Sequence, residues 1–343
     1  MDDLLRRYRA VDLEHGEDDD AASAAARATL ADRIAAEVLR RDPRDGTMEF
    51  DRGLLAKWRR DWPAAAAHNA RALELLGGGE DDDGGEDDDG VDGGVDGGVD
   101  GGVDGGVDGG VDGGAPAAWN LGIAATALRD WATARRAWRA FGLPVSGAGA
   151  EPVSEDYGMT PVRLNPLPRF VGQSALLVDG RSWDTEVVWG TRIDASRVQI
   201  ESIPLPGSGH RHGDVVLHDG DPNGTRQVGE REYPVFDELE LWQRSPRPTL
   251  SVQVQAAADE DVRRLVDQLE EAGMGAEDWT THVRMLCRAC SEGSAGEHDH
   301  PPEAADVRTV GLSGDLDDVR AVLAGWQRGG PGRSAAEPVV ELP

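Results

Sequence analysis

Cysteine is nearly absent: Cys287 and Cys290 are the only two in 343 residues. This excludes a disulfide scaffold and fits a reducing compartment. Lysine is scarcer still, with Lys57 alone against 34 arginines. That bias, with abundant Ala, Gly, Asp and Val, marks a GC-rich coding genome and carries no information about activity. No apolar run approaches the roughly 18 residues needed to span a bilayer. Nothing apolar follows Met1-Asp2-Asp3-Leu4-Leu5-Arg6-Arg7 as a signal peptide would require, so a cytoplasmic location is expected. Basic charge is also short, and the formal net charge is −30. Such a chain repels phosphate backbones and anionic lipid, so neither a nucleic acid nor a membrane is the expected partner. Phosphate loop, dinucleotide fingerprint and nucleophile elbow are all missing. Ser208, within Gly207-Ser208-Gly209, has too short a Gly frame for an elbow and reads as a turn.

What the chain does have is length and an uneven distribution of charge. At 343 residues it exceeds one ordinary core and suggests two or three units. Residues 77–114 hold 14 of its 65 acidic side chains and no basic one. After Gly77-Gly78-Gly79 come two acidic runs, then Val-Asp-Gly-Gly six times from Val91 to Gly114. Isolated valines among Asp and Gly bury too little apolar area to offset chain entropy, so a disordered insert is expected. An EF-hand does not fit: counting from Asp81, the fifth position is Gly85. The calcium-binding β-roll repeats every nine residues and this segment every four.

Excising the insert joins two similar segments. One runs Phe50-Asp51-Arg52-Gly53, Asp61-Trp62, Ala65, Asn69, Ala72. The other runs Trp119-Asn120-Leu121-Gly122, Asp130-Trp131, Ala134, Trp138, Phe141. In both, Gly is followed nine residues later by Trp, twelve later by Ala and sixteen later by Asn69 or Trp138. Gly and Ala suit the close approach of two helices, and the large residues fill the gap to the next one. Ala118-Trp119-Asn120-Leu121-Gly122 resembles the opening of a tetratricopeptide repeat, a helix-turn-helix unit. Ala31, Ala35 and Val38 fit the second helix of a leading half-repeat, and Asp42-Pro43 its end. The resemblance covers about residues 21–144 without the insert, and the whole chain is similar to uncharacterised tetratricopeptide-repeat proteins of GC-rich bacteria. It implies a non-enzymatic adaptor that takes a protein or peptide in a groove lined by the first helices. Phe50, Leu54, Lys57, Trp119, Ile123 and Thr126 are the exposed groove positions it predicts. The Lys/Asn clamp that some such grooves use for a C-terminal carboxylate is not matched, since Phe50 and Leu54 stand in its places.

Beyond residue 151 the period changes. Glu186–Trp189, Arg197–Ile203, Asp214–His218, Gln227–Tyr233 and Val235–Leu241 read as strands separated by Gly/Pro/Asp-rich turns, giving an antiparallel meander or small barrel. Thr249–Gln255 and a helix through Val262, Leu265, Val266 and Leu269 form a strand-helix pair, echoed by Val307–Leu312 and the stripe Leu316, Val319, Leu323, Trp326. The expected class is α+β: tetratricopeptide helical hairpins, then a β-rich meander or barrel, then a C-terminal strand-helix module. The expected bounds are helices over 1–76 and 115–150, the disordered insert at 77–114, a β-rich module at 151–245, the strand-helix module at 246–330, and a disordered tail at 331–343.

Two clusters could carry metal chemistry. Cys287-Arg-Ala-Cys290 followed by His298-Asp-His300 offers two thiolates and two imidazoles for one structural zinc. The same cysteines also suit a buried thiol, on a stripe with Trp279, Val283 and Leu286, or a redox pair. His210-Arg-His212, with Asp214, His218, Asp219 and Asp221, could chelate or act as acid and base, the basis of an alternative reading as a metal-dependent enzyme acting on a small substrate. Solvated loop histidines are the reading preferred there.

Overall fold

The computed structural model describes residues 1–14, 20–77, 115–229, 231–280 and 307–343. The chain divides into two compact units: Met1–Val153 with Pro168–Ser174, and Ser154–Leu167 with Ala175–Pro343. The class is α+β, packed helix pairs first and sheets after.

Among the described residues, six helices build the first unit: α1 (Asp2–Arg9), α2 (Ala21–Arg41), α3 (Gly46–Trp58), α4 (Trp62–Leu76), α5 (Ala115–Ala127) and α6 (Trp131–Phe141). Aspartates start four of them. Asp20, Asp45, Asp61 and Asp130 each accept the backbone N–H three residues on, at 2.7–3.2 Å, satisfying a donor that the helix leaves unpaired. The α3–α4 and α5–α6 turns are copies of one another. Arg60 and Arg129 both adopt left-handed backbone, at φ 57° and 61°. Asp61 and Asp130 then donate their N–H to Ala56 and Ala125, each at 2.9 Å. Both second helices start at the Trp, Trp62 in one and Trp131 in the other. The spacing from Gly also has a physical basis. A Cβ on Gly53 would meet the Asn69 side chain at 2.5 Å, and one on Gly122 would meet the Trp138 ring at 2.5 Å. Ala65 and Ala134 are fully buried. α2 is a single helix of 21 residues. Its Ala31, Ile34, Ala35 and Val38 pack with Leu4 and Tyr8 of α1 and with Met48, Leu55 and Trp58 of α3.

The second unit begins with a closed barrel of β1 (Met159–Leu164), β2 (Glu186–Arg192), β3 (Arg197–Ile200), β4 (Val215–Val228) and β5 (Arg231–Gln243). Neighbours are antiparallel, and parallel pairing of β1 with β5, Val162 opposite Phe236, closes it. Val162, Leu164, Val188, Val198, Ile200 and Val216 fill the interior. Asp219–Gly224, expected as a turn, lies within β4, although register shifts on both sides of Pro222 interrupt its pairing with β5. Proline offers no N–H to a ladder, which accounts for the irregularity.

A second sheet follows. It comprises β6 (Thr249–Gln255), α7 (Asp259–Glu271), β7 (Gly275–Asp278), β8 (Val307–Ser313), α8 (Leu316–Arg328), β9 (Ser334–Ala335) and β10 (Val339–Leu342). The strand order β10-β6-β8-β7, all antiparallel, is that of the split βαβ motif used twice. Leu250, Val252, Val254, Val310 and Leu312 face Val262, Leu265 and Leu269 of α7 and Val319, Leu323 and Trp326 of α8. The expectation of a disordered tail at 331–343 is therefore wrong: β9 and β10 both pair with β6. Main-chain bonds to a buried strand order a segment whose own side chains, such as Val339 and Val340, stay largely exposed. Among the described residues, no helix is long and apolar enough to cross a membrane. Residues 78–114 of the acidic insert lie outside the described residues.

Candidate functional site

The six predicted groove positions separate into two groups. Lys57, Ile123 and Thr126 are buried, at 4%, 0% and 0% exposure, so they do not line an open groove. Successive first helices α3 and α5 pack against each other there, and the Lys57 ammonium donates to the Asn120 side-chain oxygen at 2.8 Å. A helical wheel gives the period of a face but not which neighbour covers it. Phe50, Leu54 and Trp119 are half-buried and retain accessible surface. Trp119 rests on Trp138 and Phe141, with ring centroids 5.1 and 4.7 Å away.

The helical unit also holds a segment from between β1 and β2, folded into a turn in which the Gln173 N–H donates to the Phe170 carbonyl at 3.1 Å, and nothing in the sequence signalled it. Residues 168–174 leave the barrel after β1 and pack on α2 and α3. Phe170 stacks on Trp58 with centroids 4.4 Å apart and planes 5° off parallel. The Val171 N–H donates to the Leu13 carbonyl at 2.9 Å, so Leu13–Glu14 and Phe170–Val171 pair as two short antiparallel stretches. Arg60 reaches the Ser174 hydroxyl at 2.9 Å, and Gly172 fits closely against Ala28 and Arg59. A shallow groove of about 540 Å³ beside the stack is lined by Tyr8, Val11, Leu13, Trp58 and Phe170. An aromatic contact combined with main-chain bonds is a chemistry by which protein surfaces take peptide segments.

In the barrel, the histidines are not solvated loop residues. His210 and His218 are fully buried and His212 is half-buried. His210 Nδ1 lies 3.0 Å from the Ser208 carbonyl, and Nε2 lies 2.9 Å from a Glu238 oxygen. A carbonyl only accepts, so Nδ1 carries hydrogen. Where the Glu238 oxygen accepts, Nε2 carries one as well and the ring is an imidazolium facing a carboxylate. Burial opposes that charge, but Glu238 and the Ser208 carbonyl outweigh it, and His210 titrates above its ordinary range. Glu238's other oxygen accepts the N–H of Asn165, whose left-handed backbone at φ 48° turns the chain after β1. Asp214 is equally committed: one oxygen accepts the Ser245 N–H, and the other accepts the Arg211 N–H and an Arg244 guanidinium. His212 bonds through Nδ1 to the Glu201 carbonyl at 2.9 Å, so His210 and His212 do not converge. His218 accepts the Gly220 N–H at Nδ1 and stays neutral, burial and then Arg192 holding it well below its ordinary range.

Among the described residues, no three His, Cys, Asp or Glu side chains are grouped to hold a metal ion. Cys287, Cys290, His298 and His300 lie outside the described residues. No family model matches this chain, and neither a curated protein nor a solved structure matches it.

Proposed function

We propose that this chain is a non-enzymatic adaptor that binds a protein or peptide partner through its helical hairpins. The observation carrying the reading is the held segment. The hairpin unit seats a turn of polypeptide from another part of the chain by stacking Phe170 on Trp58 and bonding the Val171 N–H to the Leu13 carbonyl, and Phe50, Leu54 and Trp119 keep accessible surface. The resemblance of the Gly, Trp and Ala spacing to tetratricopeptide hairpins supports it as well. In the barrel, the groups that acid-base chemistry would need are occupied by structural bonds, which favours binding over turnover.

The test is photo-crosslinking of the full chain in its native host. Reactive residues replace Phe50 and Trp119, with exposed Leu128 as control. A discrete adduct from the first two positions and none from the third is expected. No adduct, or equal crosslinking from Leu128, would overturn the reading. A structural zinc held by Cys287, Cys290, His298 and His300 belongs to the same proposal, since thiolate and imidazole donors suit that metal and four of them leave no open position. Elemental analysis of untagged protein should find about one zinc per chain, lost in Cys290→Ser. Metal-free protein with two titratable thiols would remove it.

A further inference from the structure

Within the second unit, the barrel and α7 enclose a cleft of about 770 Å³. Trp189 and Glu201 form one wall, Asp267 and Glu270 of α7 the other, and the edge strand β7 the floor. Several carboxylates here are neutralised: Asp259 and Asp278 by Arg308, Glu260 by Arg263. Among the described residues, Asp267 and Glu270 have no ion-pair partner, and the Glu201 carboxylate meets only the Gln199 amide, at 3.5 Å.

The main chain of β7 supplies an independent observation. The Trp279 N–H donates to the Thr309 carbonyl at 2.9 Å. Hydrogen-bonded pairs alternate along an antiparallel ladder, so Gly275 and Glu277 also bond to β8, and Ala276 turns its N–H and C=O away from it. β7 ends the sheet, and no strand among the described residues lies on that side. Ala276 is only 9% exposed and lines the cleft. An outward-facing donor and acceptor on an edge strand, set inside a concave wall, form a template for one more strand.

We propose that the β7 edge takes an extended segment of a partner protein with Lys or Arg at alternate positions. Its main chain adds to Ala276. Its cationic side chains, all on the face of the added strand turned towards α7, meet Asp267 and Glu270. The site is separate from the helical hairpins, and its fate does not depend on theirs.

The experiment titrates the full-length protein with a short fluorescein-labelled peptide of alternating Arg and Val. Binding is followed by anisotropy, and amide exchange is measured on the complex. Affinity should fall with added salt, and by about tenfold in Asp267→Asn/Glu270→Gln. Neither of these side chains anchors the fold, so the variant should melt like the parent. Peptide saturation should slow exchange of the Ala276 amide. Four outcomes would each overturn the proposal: no binding at millimolar peptide, undiminished affinity in the double variant, equal binding of an alternating Glu/Val peptide, or an unprotected Ala276 amide in the saturated complex. Spermidine that binds with the same dependence on the carboxylates, while the peptide fails to protect Ala276, would identify a small-cation site instead.

Discussion

Trp138 is fully buried, with Gly122 against its ring and Trp119 at its edge. Trp138→Ala should cost about 3–5 kcal/mol, the range for emptying a buried aromatic site. Trp138→Phe should cost much less, because the indole N–H has no acceptor to lose. Gly122→Leu should destabilise by at least about 1–3 kcal/mol through overpacking. Urea unfolding of the full chain, followed by circular dichroism, reads all three. Melting like the parent in both the Ala and the Leu variant would remove this contact from the architecture. His210 gives a second residue-scale prediction. Its folded pKa is raised, so the stability it contributes is complete below pH 6.5, its ordinary value, and is lost as pH rises through the folded value. His218 works in the opposite direction. Its folded pKa is lowered, so acidification below pH 6.5 protonates it in the unfolded chain first and stability falls. Glu238→Gln should therefore flatten the alkaline side of the stability profile and leave the acid side. The same alkaline slope in both proteins would mean that the buried pair is not ionic.

At the scale of elements, β10 is the most exposed to test. Truncation after Gly330 removes β9 and β10 and uncovers the edge of β6. The amides of Ser251 and Gln253, which face those strands, should then exchange faster, and the C-terminal module should lose stability. Unchanged exchange would mean the tail contributes nothing. That tail was not legible in the sequence, because Gly329 to Pro338 read as breakers and four residues such as Val339–Leu342 carry no period. β7, Gly275-Ala-Glu-Asp, has no β-forming residue at all, and β1 contains Pro161. Both are strands because neighbours offer them main-chain partners. The hairpins were legible because Gly53 and Gly122 record close helix contacts that only glycine permits. The α7 and α8 stripes were legible for the same kind of reason, as a period of burial. The candidate site was legible only in part. Phe50, Leu54 and Trp119 fall where a face is half-open, but Phe170 lies more than a hundred residues away from Trp58 and outside any repeat. His210 looked like a loop residue because its partner, Glu238, lies 28 positions along the chain.

For the whole molecule, charge outweighs every other compositional feature: −30 overall, with 14 acidic groups crowded between α4 and α5. These two helices pack against each other on either side of the insertion. Replacing residues 78–114 with a short Gly-Ser linker should therefore keep the hairpin contacts. Two effects then act in the same direction. A shorter loop costs less to close, by about 0.6 kcal/mol for each halving, or roughly 2 kcal/mol in total. Removing like charges also relieves repulsion within the compact state. Salt separates the two, because loop entropy is indifferent to ionic strength whereas repulsion is screened over about 10 Å at 0.1 M. If repulsion matters, adding salt should stabilise the intact chain more than the deletion variant, and the gap between them should narrow towards the entropic part. Urea unfolding of both chains at low and high salt measures this. A deletion that lowers stability by several kcal/mol would show instead that the insert packs on the fold.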